Sequence, residues 1–113
     1  MFLRNFWYVA GRSEEVGRHL FLRWILNEPV LLYRTEDGTV VAMQGHCPHR
    51  SLPLSKGRLV EDEVECGYHG LRFAPSGECT HVPTLEKVPA TCHVKTYPVV
   101  EMNRWIWIWM GDP

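Results

Sequence analysis

The chain has 113 residues, 45% of them hydrophobic and 22% charged, with a formal net charge of −1. That length holds one domain with a modest core, and the composition is that of an ordinary globular protein. The near-neutral balance argues against a nucleic-acid-binding or membrane-binding surface. No apolar run approaches the roughly 20 residues of a spanning helix.

Nine glycines and eight prolines punctuate short segments rich in β-branched and aromatic residues, a texture that predicts an all-β domain of many short strands. Phe6 to Ala10 reads as a first strand. Ser13 is placed to cap a single helical turn led by Glu14 and Glu15. His19 to Leu26 has apolar residues on both faces and is expected to sit centrally, with a break over Asn27 to Pro29. Val30 to Thr35 and Thr39 to Gln44 flank Asp37-Gly38, a hairpin signal. Leu52, Leu54 and Leu59 are expected to pack beneath the loop that follows. Leu59-Val60 and Val64 to Cys66 are placed to pair across Glu61-Asp62-Glu63, which reads as a solvated acidic turn. Leu71 to Ala74 and Cys79 to Val82 flank the turn sequence Pro75-Ser76-Gly77-Glu78. Thr84 to Thr91 reads as irregular. His93 to Glu101 is extended, and Pro98 points to an edge or a bulge. In Trp105 to Met110 three tryptophans alternate with Ile106, Ile108 and Met110, so both faces of this last strand are expected to be covered. Strand counting alone gives a sandwich or a barrel.

Two loops carry the chemistry. Cys47-Pro48-His49-Arg50 is followed, after the sixteen residues from Arg50 to Glu65, by Cys66-Gly67-Tyr68-His69-Gly70. Each loop offers one thiolate and one imidazole, four donors in all. A Cys2His2 zinc site is one use of such a set, although zinc sites usually draw pairs from Cys-x2–4-Cys or His-x3–5-His knuckles. A diiron cluster with two bridging sulfides also needs four terminal ligands, and two cysteines with two histidines make the Rieske variety. Two of the four cysteines lie in these Cys/His pairs, which points to metal rather than disulfides and to a reducing, cytoplasmic setting. The N-terminal Met1 to Phe6 lacks the pattern of a secretory signal.

The spacing Cys-x-His, sixteen residues, Cys-x-x-His resembles that of Rieske [2Fe–2S] domains. Asn5-Phe6-Trp7-Tyr8-Val9-Ala10, Pro53-Leu54-Ser55, Gly70-Leu71 and the closing Ile106-Trp107-Ile108-Trp109-Met110-Gly111-Asp112-Pro113 extend the likeness. They are similar to the N-terminal domain of Rieske non-heme iron oxygenases of the aromatic O-demethylase group, typified by vanillate and dicamba monooxygenases. The resemblance implies an antiparallel β-sandwich (about 1–44 and 74–113) with a small cluster-binding subdomain inserted at about 45–73. It implies Cys47, His49, Cys66 and His69 as cluster ligands, the cysteines on one iron and the histidines on the other. It implies one-electron transfer from a reductase or ferredoxin to a mononuclear non-heme iron in a further, C-terminal domain, reached across a homotrimer interface. No catalytic residue is expected within these 113 residues. The alternative is a stand-alone Rieske ferredoxin, and a third class is a metal-stapled structural module.

Respiratory Rieske proteins carry disulfide cysteines where Leu52 and Tyr68 stand here, and a serine where Leu71 stands. The resemblance therefore implies a potential in the lower part of the Rieske range, roughly −150 to 0 mV. His46 reads as a supporting or surface residue, and His19, His81 and His93 as strand or surface histidines. Cys79 and Cys92 read as small, partly buried thiols. The tryptophans read as core. Arg50 reads as able to orient backbone or a neighbouring carboxylate.

Overall fold

The computed structural model describes residues 5–46, 54, 57–66, 71–81 and 93–111. Within them the chain is all-β and antiparallel, as the sequence predicts. Strands β1 (Phe6–Arg12), β10 (Trp105–Met110) and β9 (Val99–Met102) form one sheet in that order. Strands β2 (Phe21–Ile25), β3 (Glu28–Arg34) and β4 (Val40–Gln44) form a second. Strands β5 (Arg58–Val60), β6 (Glu63–Glu65), β7 (Arg72–Phe73) and β8 (Cys79–His81) form a third.

The β2–β3–β4 sheet lies in the middle, and the alternation of side chains along β3 and β4 shows it. Val30, Leu32 and Ala42 point into a core shared with Ala10, Ile106, Ile108 and Met110 of the outer sheet. Their neighbours Leu31, Tyr33, Val41 and Met43 point the other way, into a core shared with Val64, Phe73 and Cys79. A strand covered on both faces must be apolar at every position rather than at alternate ones. Val30-Leu31-Leu32-Tyr33 meets that demand, with all four residues fully buried.

One extended segment joins the three sheets. His93 bridges Glu78, and the Val94 N–H donates to Gly77 O at 2.8 Å, at the turn before β8. Gly77 has a φ of +87°, and a Cβ there would collide with the Val94 carbonyl, so only glycine fits. Next, Lys95 O accepts from the Gln44 N–H and the Tyr97 N–H donates to Ala42 O, so the segment runs along β4. Past Pro98, whose carbonyl accepts from the Trp109 N–H at 3.0 Å, it becomes β9. The expected extended stretch and edge proline are both present, since β9 is an edge strand.

Three expectations are corrected. First, β2 lies at the edge of its sheet and β3 at its centre. The apolar residues of β2 divide between core and solvent: Ile25 is buried and Trp24 is 60% exposed. The β2–β3 turn is Leu26-Asn27, both at positive φ (50° and 62°), and it pairs Ile25 with Glu28. This two-residue geometry usually announces itself with Gly, and its absence hid the start of β3. Second, Arg12 rather than Ser13 precedes the helical turn, a single 3-10 turn over Ser13–Glu15. The Arg12 N–H donates to Glu15 Oε1 at 2.8 Å. Third, the tryptophan face of β10 is covered only in part, with Trp107 and Trp109 half-buried. Ile106, Ile108 and Met110 are fully buried, whereas Trp105 remains exposed beside Trp7, Val100 and Met102. These residues, with Trp107, line an open apolar groove of about 470 Å³ on the outer face of the β1–β10–β9 sheet.

Candidate metal centre

The bases of the two predicted ligand loops rest on the same core. The Leu54 N–H donates to Gly45 O at 2.7 Å, which closes the base of the first loop, and the Gly45 N–H donates to Pro29 O at 2.8 Å, which ties that base to β3. A Cβ on Gly45 would stand 2.6 Å from Leu22 Cδ1 and 3.1 Å from the Pro29 carbonyl carbon. Glycine is needed there for close approach, not for an unusual φ. At the second loop the Cys66 N–H donates to Leu71 O at 2.6 Å, one step beyond the last β6–β7 pair. Leu54, Cys66 and Leu71 are all buried in the same cluster as Leu31 and Tyr33, with Leu59 packed against it. The first loop's Leu54 and the second loop's Cys66 and Leu71 are therefore fixed to one apolar floor.

Of the four predicted ligands, Cys66 is described. It is 2% exposed. Cys47, His49 and His69 lie outside the described residues, as do Arg50, Leu52, Tyr68 and Cys92. Among the described residues no group of three or more His, Cys, Asp or Glu comes together to hold a metal. His46, beside the predicted ligand Cys47, sets its ring edge-on to Trp24, with centroids 5.9 Å apart. That agrees with a supporting or surface role. His19 and His93 are exposed, and His81 lies in β8 opposite Arg72. Cys79 is buried in the same apolar cluster.

The floor is secured by polar contacts that the sequence reading missed. Glu61-Asp62 is an anchored turn, not a merely solvated one. Arg18 donates to Asp62 Oδ1 at 3.0 Å and to Glu61 O, the Glu36 N–H donates to Asp62 Oδ1 at 2.7 Å, and the Tyr33 hydroxyl donates to Asp62 O at 2.9 Å. These contacts pin the β5–β6 hairpin to the β3–β4 hairpin. Burial, reinforced by the Asp62 charge, pushes the Tyr33 phenol above its ordinary pKa. On the third sheet Arg58 Nε donates to Glu65 Oε1 at 2.8 Å and Arg72 Nε to Glu65 Oε2 at 2.9 Å. The Arg58 guanidinium, and then that of Arg72, holds the Glu65 carboxyl below its usual range. Arg34 ties the other side of the molecule together. It donates to Val16 O, Gly38 O, Ser13 O and both oxygens of Glu101, which satisfies its whole fork. That bidentate pair lowers the Glu101 pKa to about 2.

The donor chemistry fits a sulfide-bridged iron cluster. A buried thiol on a rigid loop base in an apolar, water-poor cluster suits a soft ligand. Gln44, Gly45 and Cys66 have their backbone groups bonded within the fold, so the loops can be held without relying on the metal alone.

The Rieske [2Fe-2S] domain model matches residues 6–98 of the chain. The toluene-4-sulfonate monooxygenase system iron-sulfur subunit of Comamonas testosteroni is 55% identical over 114 residues, covering 100% of this chain and 33% of that protein. The oxygenase component of dicamba O-demethylase from Stenotrophomonas maltophilia is 48% identical, covering 99% of this chain and 33% of its own length. The crystal structure of dicamba monooxygenase superposes with a TM-score of 0.94 over 99% of this chain and 36% of that one. The chain thus spans about a third of the length of these relatives.

Proposed function

Because the chain belongs to the Rieske [2Fe–2S] domain family, we propose that Cys47 and Cys66 bind one iron, and His49 and His69 the other, of a [2Fe–2S] cluster. The segment of about 45–73 acts as the cluster-binding subdomain. The observation that carries this reading is the convergence of both loop bases on one buried floor that contains the Cys66 thiol. When bound, the cluster supplies reversible one-electron storage. The chain's own residues fix and shield it. Gly45 and Leu54 hold the first loop, Cys66 and Leu71 hold the second, and Leu31, Tyr33, Val64 and Phe73 exclude water from below.

Iron and acid-labile sulfide analysis of the purified chain tests the cluster. Two irons and two sulfides per chain are expected for a [2Fe–2S] cluster, with complete loss of the visible chromophore in Cys66→Ser. One zinc without sulfide overturns the assignment. Potentiometric titration is expected to place the midpoint at roughly −150 to 0 mV. A value well above about +150 mV would overturn the argument from Leu52, Tyr68 and Leu71.

The wider role follows from the relatives. Several are oxygenase components, including dicamba and vanillate O-demethylases. The chain serves as the electron-transfer part of an aromatic-compound oxygenase of O-demethylating or ring-hydroxylating type. It lies in the cytoplasm, between a reductase or ferredoxin donor and a mononuclear non-heme iron in a catalytic domain of an adjacent subunit in a homotrimer. Among the described residues no helix is long and apolar enough to cross a membrane. The mass of the native product separates this role from that of a stand-alone ferredoxin, with about 35–45 kDa expected for an oxygenase polypeptide. A product of only the present length overturns it.

A further inference from the structure

Glu65 sits between two arginines across three strands. It pairs in register with Arg58 of β5 on one side and Arg72 of β7 on the other, and one carboxylate oxygen goes to each guanidinium. The two contacts are not equivalent. The Arg58 side chain is 70% exposed and that of Arg72 34%, so solvent screens the first more than the second. Position separates them further. Glu65 immediately precedes Cys66 and Arg72 immediately follows Leu71, so the Glu65–Arg72 pair lies next to the Cys66 N–H to Leu71 O bond. Side chains alternate along a strand, so Cys66 and Leu71 turn into the apolar floor while Glu65 and Arg72 meet on the opposite side.

The backbone here has little to spare. β6 and β7 share only two paired positions, Val64 with Phe73 and Glu65 with Arg72. A ladder this short has weak cooperative support, and a charge-assisted side-chain pair on its last rung carries a large share of what remains. We propose that the Glu65–Arg72 ion pair is a clasp that positions Cys66, with Arg58 only orienting the carboxylate from outside. The consequence for cluster retention rests on the reading of Cys66 as a ligand; the clasp on Cys66 does not. Glu65 and Arg72 are positioning residues, acting through the Cys66–Leu71 rung.

The test uses the full chain with Glu65→Gln, Arg72→Gln, Arg58→Gln and the double substitution Glu65→Gln/Arg72→Gln. Two rates are read. One is amide hydrogen exchange at Cys66 in metal-free protein, expressed as a protection factor. The other is release of iron to a chelator from cluster-loaded protein. Glu65→Gln and Arg72→Gln are each expected to raise both rates roughly twofold to fivefold. The double variant is expected to go no further than the larger single effect, and Arg58→Gln to stay within about twofold of the unsubstituted chain. Unchanged rates in Glu65→Gln and Arg72→Gln overturn the clasp, as do additive effects in the double variant or an Arg58→Gln effect equal to theirs. If the unsubstituted chain takes up no iron and sulfide, the ligand reading of Cys66 fails, and the exchange rates at Cys66 still decide the clasp.

Discussion

On one face of the central sheet, Val30, Leu32 and Ala42 meet Ile106, Ile108 and Met110. On the other, Leu31, Tyr33, Val41 and Met43 meet Leu54, Val64, Cys66, Leu71 and Phe73. The first face joins strands from the two ends of the chain, has Tyr97 as the one aromatic among its buried residues, and holds neither of the cysteines described. The second holds both of them, Cys66 and Cys79, and the bases of both ligand loops. A single strand, β3, feeds both faces through alternate residues, so neighbours in sequence serve different purposes. Leu32 is scaffold, while Leu31 is part of the floor on which the site stands.

The largest way to break this contrast is to hollow out each face in turn. Leu31→Ala and Leu32→Ala should each cost about 2–5 kcal/mol in a denaturant titration, because both side chains are fully buried. Only Leu31→Ala should also reduce native-state exchange protection at the Leu54, Cys66 and Leu71 amides. Equal loss of protection in both variants would mean one undivided core. Next in size, Gly45→Ala should cost about 1–3 kcal/mol by overpacking against Leu22 and Pro29. Adding Leu22→Ala should recover part of that loss, and no recovery would refute the steric account.

Tyr33→Phe is expected to cost about 1 kcal/mol at neutral pH through loss of the hydroxyl bond to Asp62 O. Burial raises the folded-state pKa of this phenol. Its contribution is therefore complete below the unfolded value of about 10 and is lost as pH rises from there toward the folded value. Stability measured against alkaline pH should fall less steeply in Tyr33→Phe. The smallest effect belongs to the scaffold side. The Glu101 pKa is lowered from 4.5 to about 2 by Arg34, so its contribution is present above pH 4.5 and disappears as pH falls toward 2. Glu101→Gln should flatten the acid limb of the stability curve only in part. Asp37, held down to about 2 by Thr35 and Thr39, titrates in the same window. An acid limb unchanged by Glu101→Gln would show that the Arg34 fork contributes nothing there.

Much of this was legible in the residues. Asp37-Gly38 marked the β3–β4 hairpin, and Pro75-Ser76-Gly77-Glu78 marked the β7–β8 turn, because turn chemistry is local. The sequence puts Cys66 at the end of a strand that leads into the second loop, and the structure ends β6 one residue earlier, at Glu65. The double coverage of β3 was harder to read. An apolar run is the same in a helix as in a strand buried on both sides, and β2 resembled it until Trp24 proved exposed. The Leu26-Asn27 turn carries no glycine. The roles of Asp62, Arg34 and Glu65 depend on partners up to 67 residues away, as with Arg34 and Glu101. No local pattern announces them.

The segment from His93 to Met102, which touches all three sheets in succession, sets an order of events in time. During synthesis β1 is made first, yet its partner β10 emerges roughly a hundred residues later. At about 5–20 residues per second, that delay is about 5–20 s. Until then Phe6, Trp7 and the unpaired edge of β1 remain available to other chains. The β2–β3–β4 meander and the β5 to β8 hairpins are local in sequence and can form meanwhile, but each lacks its strap. The contacts that complete this fold are its most distant ones, so its slow folding step is expected to be the docking of residues 93–110, not the formation of any single hairpin.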